Sequence, residues 1–124
     1  MTSEAHGPAQ DGPTEGAVPT ALASLVGRRR ERVAVSDVLR NPEVRLLVLT
    51  GPGGVGKTRL ALSVVEGVRD SFRDGVCFVD LSPISRSDLV LPTIAVSLGV
   101  RHSSNVPLMD AINATIRSRQ MLLV

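Results

Sequence analysis

Apolar residues along the chain recur in two different rhythms, and segments of the two kinds alternate. Val44 to Thr50 has a nearly unbroken core of Leu and Val, the pattern of a parallel strand buried on both faces. Leu60, Val64, Val68 and Phe72 follow at helical spacing, with Ala61 and Val65 beside them. They predict one apolar stripe on a helix from about Lys57 to Phe72. Asp74-Gly75 turns the chain into Val76–Leu81, a second buried strand. Ser87 to Leu98 predicts another helix, with Pro92 tolerable only near its first turn. After a polar loop from Arg101 to Asn105, Pro107 opens a helix with Leu108, Ile112 and Ile116 on one face, and Met121–Val124 begins a third strand. Upstream, Arg28 to Arg40 predicts a short helix with Val35, Val38 and Leu39 inward, stopped by Asn41-Pro42. Such alternation predicts an α/β fold built on a parallel sheet. No internal repeat is present.

The first two dozen residues stand apart from this pattern. Pro8, Pro13, Pro19, Gly7, Gly12 and Gly16 lie there among small and acidic residues, with too little apolar surface to offset the entropy of ordering. Residues 1–24 are therefore expected to be a disordered leader, and residues 25–124 one domain. The leader lacks the basic start and apolar core of a signal peptide, and no run is long enough to span a membrane. Cys77 is the only cysteine, which excludes an internal disulfide and fits a reducing, cytoplasmic setting. Its simplest role is that of a small apolar residue in a buried strand. His6 and His102 have no partner at ligand spacing, so no metal held by nitrogen or sulfur is expected. A net charge of +2 is too small to argue for nucleic acid.

Composition does single out one side chain. Lys57 is the one lysine among 14 basic residues. It lies in Gly51-Pro52-Gly53-Gly54-Val55-Gly56-Lys57-Thr58, between the predicted strand and helix, and this octet has the Gly-x-x-x-x-Gly-Lys-[Ser/Thr] spacing of a P-loop. Glycines let the backbone curl so that its N–H groups face anionic oxygens, and the following helix adds its positive end. Lys57 supplies a full charge for the β- and γ-phosphates, and Thr58 a hydroxyl for Mg²⁺. The motif selects nucleoside triphosphates as a class, without choosing ATP over GTP. A chance glycine-rich turn would not explain a strand before the motif and a helix after it.

Leu25-Val26-Gly27-Arg28-Arg29-Arg30-Glu31 precedes the first helix. By itself it is an apolar anchor, a glycine turn and a solvated charged helix start, in which the arginines oppose the helix dipole. Together, Pro19, Leu22 and Ser24, then Leu25-Val26-Gly27-Arg28-x-x-Glu31, then Leu47 to Thr50 running through the octet into Arg59-Leu60-Ala61, resemble the ATPase domain of bacterial STAND regulators. These are NB-ARC-like, AAA-related signal-transduction ATPases, often fused to a DNA-binding domain in large transcriptional activators. Phe78-Val79-Asp80-Leu81 resembles the second strand of that family, and the likeness runs from about Pro19 to Val124.

The resemblance implies a three-layer P-loop NTPase fold with a parallel sheet. It would be incomplete here, with three of the usual five core strands. It implies ATP or ADP with Mg²⁺ as ligands, held by Gly51 to Thr58, with Lys57 catalytic and Thr58 on the metal. It places Val26, Gly27 and Arg28 against adenine and ribose. Arg29 and Arg30 stand where the family often has Glu or another polar residue. Arg59 matches the family string without an evident task, and Asp80 is expected to be a helix-capping carboxylate at the strand edge. In this family a strand like Met121–Val124 continues into a Leu-Asp-Asn-like segment whose aspartate holds Mg²⁺ through water. On that likeness the chain would be the N-terminal part of an ATPase domain, inactive alone, its partners being adenine nucleotide, other domains of a longer regulator and, through them, DNA, with no membrane. Two alternatives remain open. A small P-loop kinase would want acceptor-binding arginines and a lid, where only Arg101 to Asn105 offers a loop. A non-catalytic truncated remnant would have the same ancestry.

Overall fold

The computed structural model describes residues 27–101 and 103–124. The expected leader at 1–24 and Val26 lie outside the described residues. Helix α1 spans Arg29–Arg40, α2 Lys57–Val68, α3 Val90–Ser97 and α4 Leu108–Ile116; the strands are β1, Val76–Cys77, and β2, Leu122–Leu123. Short 3₁₀ turns extend α2 at Arg69–Ser71 and precede α3 at Ser87–Leu89.

The strands pair in parallel, Val76 opposite Leu122 and Cys77 opposite Leu123. Backbone bonds continue the ladder at both ends. Asp74 N–H donates to Gln120 O (2.9 Å), Leu122 N–H to Gly75 O (3.1 Å), Val124 N–H to Cys77 O (2.8 Å) and Val79 N–H to Val124 O (2.7 Å). Asp74 also fixes the register through its side chain, whose Oδ2 accepts the Gln120 N–H at 2.6 Å.

Side chains that alternate across these strands feed two cores. On one side Leu60, Val64 and Val68 of α2 pack with Val35 and Leu39 of α1, Leu49, Phe72 and Leu122. On the other, Cys77 packs with Ala95, Leu98 and Ile112, joined by Val79, Ile94, Leu108, Ile116 and Met121. Neighbouring residues Met121 and Leu122 thus reach opposite cores, and the sheet lies between a layer of α1 and α2 and a layer of α3 and α4. The α2 stripe follows the four-residue repeat expected of it. Val68 is fully buried at its last turn.

Helices α1 and α2 are each 12 residues long. The Arg40 guanidinium, at the end of α1, donates to the Gly67 carbonyl near the end of α2 (2.9 Å). This bond ties the C-terminal ends of the two helices together.

Several expectations need correction. Residues 44–50 form no strand among the described residues, and their only backbone bond there is Val44 N–H to Asn41 O (3.0 Å). One face of the segment is packed, through Leu49; on the other, Leu46 is 80% and Val48 66% exposed. The layer of α3 and α4 covers β1 and β2 and leaves this second face open. The sheet therefore has two strands, not three. The second strand is shorter than expected: its ladder bonds end at Val79, and Asp80 follows in a turn, its Oδ1 accepting the Ser82 N–H (2.9 Å). The α2 helix stops at Val68, with Phe72 following the 3₁₀ turn. In α1 the inward stripe is Val35, Ser36 and Leu39, whereas Val38 is half exposed. Buried Ser36 satisfies its hydroxyl on the Arg32 carbonyl one turn back (2.7 Å).

Candidate phosphate-binding site

The Gly51–Thr58 segment connects the extended residues 44–50 to α2 with almost no side-chain bulk. Gly54 (φ 81°) and Gly56 (φ 83°, ψ 30°) are in left-handed conformations, which cost other residues about 1–2 kcal/mol. Gly56 is the N-cap of α2, so the reversal into the helix takes place at the loop's last glycine. The first backbone bond of α2 runs from Leu60 N–H to Gly56 O at 3.0 Å. The N–H groups of Lys57, Thr58 and Arg59 consequently have no backbone partner among the described residues, and no side chain caps them. The first turn also contains no acidic residue, so no carboxylate within it offsets the positive end of α2. A Cβ built on Gly53 would meet nothing within 4 Å, so the exposed rim of the loop is bare backbone open to a ligand.

Lys57 completes the arrangement from within. Its ammonium donates to Gly51 O (2.7 Å) and Pro52 O (2.9 Å), which holds the charge over the entrance of the loop and leaves one N–H unspent. Thr58 is exposed on the first turn of α2, next to the unpaired amides. Backbone donors, one ammonium and one hydroxyl are thus gathered at a helix N-terminus. That donor set fits a polyphosphate.

The other candidate residues are placed differently. Gly27 is exposed with φ 91°, and Arg28 is the N-cap of α1, where its Nε lies 3.6 Å from Glu31 Oε2. Among the described residues no hydrogen bond or ion pair joins them to Gly51–Thr58. Arg59 is exposed and has no ion pair among the described residues. Asp80 caps a turn, not a helix. Hydrogen bonds from the Ser82 side chain and then the Ser82 backbone hold its carboxyl below the usual carboxylate range. A groove elsewhere, beyond the end of α2, is lined by Arg69, Arg73 and Arg119 together with Asp70 and Asp74. Its charges largely offset one another, and Asp74 is already engaged by Gln120, so the unpaired amides of α2 are the better anion site. Cys77 is buried in β1, donates to Ser97 O (3.3 Å), and has its thiol pKa raised by burial. It is a packing residue.

Comparison with known families decides the class: residues 42–124 match the model of the AAA domain. The chain belongs to the AAA-domain family. Its fold is accordingly that of a P-loop NTPase, of which the described residues form helices around a small parallel sheet. The match includes the whole octet and excludes α1. Over 80 residues, 64% of this chain, it is 44% identical to a protein of Mycobacterium tuberculosis named "Putative HTH-type transcriptional regulator", with an equal match in Mycobacterium bovis. Over 103 residues, 83% of this chain, it is 33% identical to an uncharacterized protein of Mycobacterium tuberculosis. The chain spans 9% of the length of the first relatives and 26% of the last. No solved structure matches it. No helix among the described residues is long and apolar enough to cross a membrane.

Proposed function

We propose that this AAA-domain chain is the adenine-nucleotide-binding part of a STAND-type, NB-ARC-like ATPase in a transcriptional regulator. Nucleotide would bias two arrangements of the regulator's domains. The observation that carries the reading is the loop itself: Gly51–Thr58 opens α2 with unpaired amides at Lys57, Thr58 and Arg59 and the Lys57 ammonium at its entrance. ATP or ADP would seat its phosphates on Gly51, Pro52, Gly53, Gly54, Val55 and Gly56 and on the α2 amides. Lys57 would be the catalytic cation, drawn toward the β- and γ-oxygens. Thr58 would give Mg²⁺ one hydroxyl oxygen, the remaining positions being filled by phosphate and water. The metal would neutralise charge developing on the phosphates. Val26, Gly27 and Arg28 would line the base, as the resemblance to STAND ATPases implies.

The regulatory part of the proposal is supported by likeness to a protein named as a helix-turn-helix regulator, and DNA contact would belong to other domains of such a protein. A cytoplasmic location goes with that role. The test is base choice. In a competition assay MgATP should displace a bound fluorescent ADP analogue at lower concentration than MgGTP, and deletion of residues 19–28 should remove the difference. Preference for MgGTP would point to another P-loop class and overturn the reading.

A further inference from the structure

Between Pro52 and Lys57 the loop carries a single side chain, that of Val55. It is half-buried, yet it belongs to neither hydrophobic core. Its packing partner is the loop. A Cβ placed on Gly51 would lie 3.2 Å from Val55 Cγ2 and 3.9 Å from Lys57 Cδ, so the Val55 methyl and the Lys57 stem both lie close to Gly51. The Gly51 carbonyl is also one of the two acceptors of the Lys57 ammonium. Gly51, Val55 and Lys57 therefore close the loop on itself, with apolar contact on one side of Gly51 and a charge-assisted hydrogen bond at its oxygen.

We propose that Val55 is a positioning residue, whose γ-methyl seats Gly51 so that the Gly51 and Pro52 carbonyls hold the Lys57 ammonium at the mouth of the loop. The glycines on either side of Val55 have left-handed backbones and no side chains, so besides the more distant Lys57 stem only Val55 packs beside Gly51. Dispersion contacts fall off steeply with separation, and removing both γ-methyls takes away the nearer of the two groups beside Gly51. Val55→Ala should free the lysine, while Val55→Ile keeps both γ-carbons and should preserve the brace. The proposal deepens the phosphate-site reading by naming what orients its cation.

The test uses the fact that Lys57 is the only lysine. Acetylation by acetic anhydride, followed by peptide mass spectrometry, reads its ammonium without any ligand. In Val55→Ala the Lys57 acetylation rate should rise by about fivefold, the scale of one weakened hydrogen bond. In Val55→Ile it should stay at the wild-type value. Calorimetric affinity for MgADP should fall by a similar factor in Val55→Ala and recover in Val55→Ile, with the thermal transition followed by circular dichroism unchanged in both. Wild-type acetylation in Val55→Ala would overturn the role given to Val55, whatever the nucleotide result. Faster acetylation accompanied by a lowered thermal transition and no recovery in Val55→Ile would overturn it as well, as loss of folding. A wild-type chain that binds no MgADP would instead overturn the phosphate-site reading on which the proposal rests.

Discussion

Val68→Ala is the sharpest test of the packing that carries the loop. Val68 is 0% exposed at the last turn of α2, in the core where α1, α2, Leu49 and Leu122 meet. The substitution removes two methyl groups, a transfer loss of about 1.6 kcal/mol at roughly 0.8 kcal/mol per carbon. Incomplete collapse of the space raises that toward 2–3 kcal/mol, on the scale of about 24 cal/mol per Å³ of residual cavity. Alanine's better helix propensity returns roughly 0.5 kcal/mol. The net expectation is a loss of about 2 kcal/mol, a large fraction of a typical total near 5–15 kcal/mol. Because the chain has no Trp and no Tyr, urea unfolding should be followed by far-ultraviolet circular dichroism. A urea slope of about 1–2 kcal/mol/M converts the loss into a midpoint lowered by about 1–2 M. Val96→Ala is the control. Val96 is 81% exposed on α3, so the same chemical change should be neutral or stabilise by up to about 0.5 kcal/mol. Equal midpoints for wild type and Val68→Ala, or an equal loss at Val96, would refute the assignment of this core.

Two further outcomes follow from the surface. Leu46 and Val48 point outward from a segment without ladder partners, an arrangement that invites edge-to-edge pairing. The chain should therefore associate with rising concentration in sedimentation velocity. Leu46→Lys with Val48→Lys should suppress this while moving the urea midpoint by less than about 0.5 kcal/mol equivalent; undiminished association would contradict it. Asp80 has a carboxyl pKa lowered by its Ser82 hydrogen bonds. Its contribution to stability should be present above the unfolded value near 3.9 and lost as pH falls through the lower folded value. Carbon-detected magnetic resonance should find its midpoint below the ordinary one, and a midpoint at or above about 3.9 would contradict the turn cap.

The glycine-rich loop that opens α2 was legible in the sequence because its information is local. Fixed spacing places Gly56, Lys57 and Thr58 at the start of α2, and Gly56 has the left-handed backbone expected at that junction. The α2 stripe was equally plain, since Leu60, Val64 and Val68 need only helical geometry to share a face. What depended on distant parts of the chain was legible only in part. The run at 44–50 has the composition of a strand covered twice, but cover is supplied by other elements, and α3 and α4 lie over β1 and β2. Of the strand expected over Val76–Leu81, the ladder bonds reach Val79, and Asp80 then holds a turn through the Ser82 N–H. In α1 the expected stripe holds at Val35 and Leu39 but not at Val38, whereas Ser36, a small buried serine satisfied by its own helix, joins the seam. Neither the Arg40–Gly67 bond nor the brace of Val55 on Gly51 has a signature in hydrophobic pattern. Both arise from close approaches that only the folded backbone displays.

The central claim is that Gly51–Thr58 holds the phosphates of a nucleotide with Lys57 as its cation, and calorimetric titration of MgATP into the wild-type chain and into Lys57→Ala tests it most directly. Loss of a charge-assisted contact of about 1.5–3 kcal/mol predicts a dissociation constant raised about 10–100-fold, with the urea midpoint unchanged because Lys57 lies outside both cores. Equal affinity of the two chains, or no binding by the wild type, would contradict it.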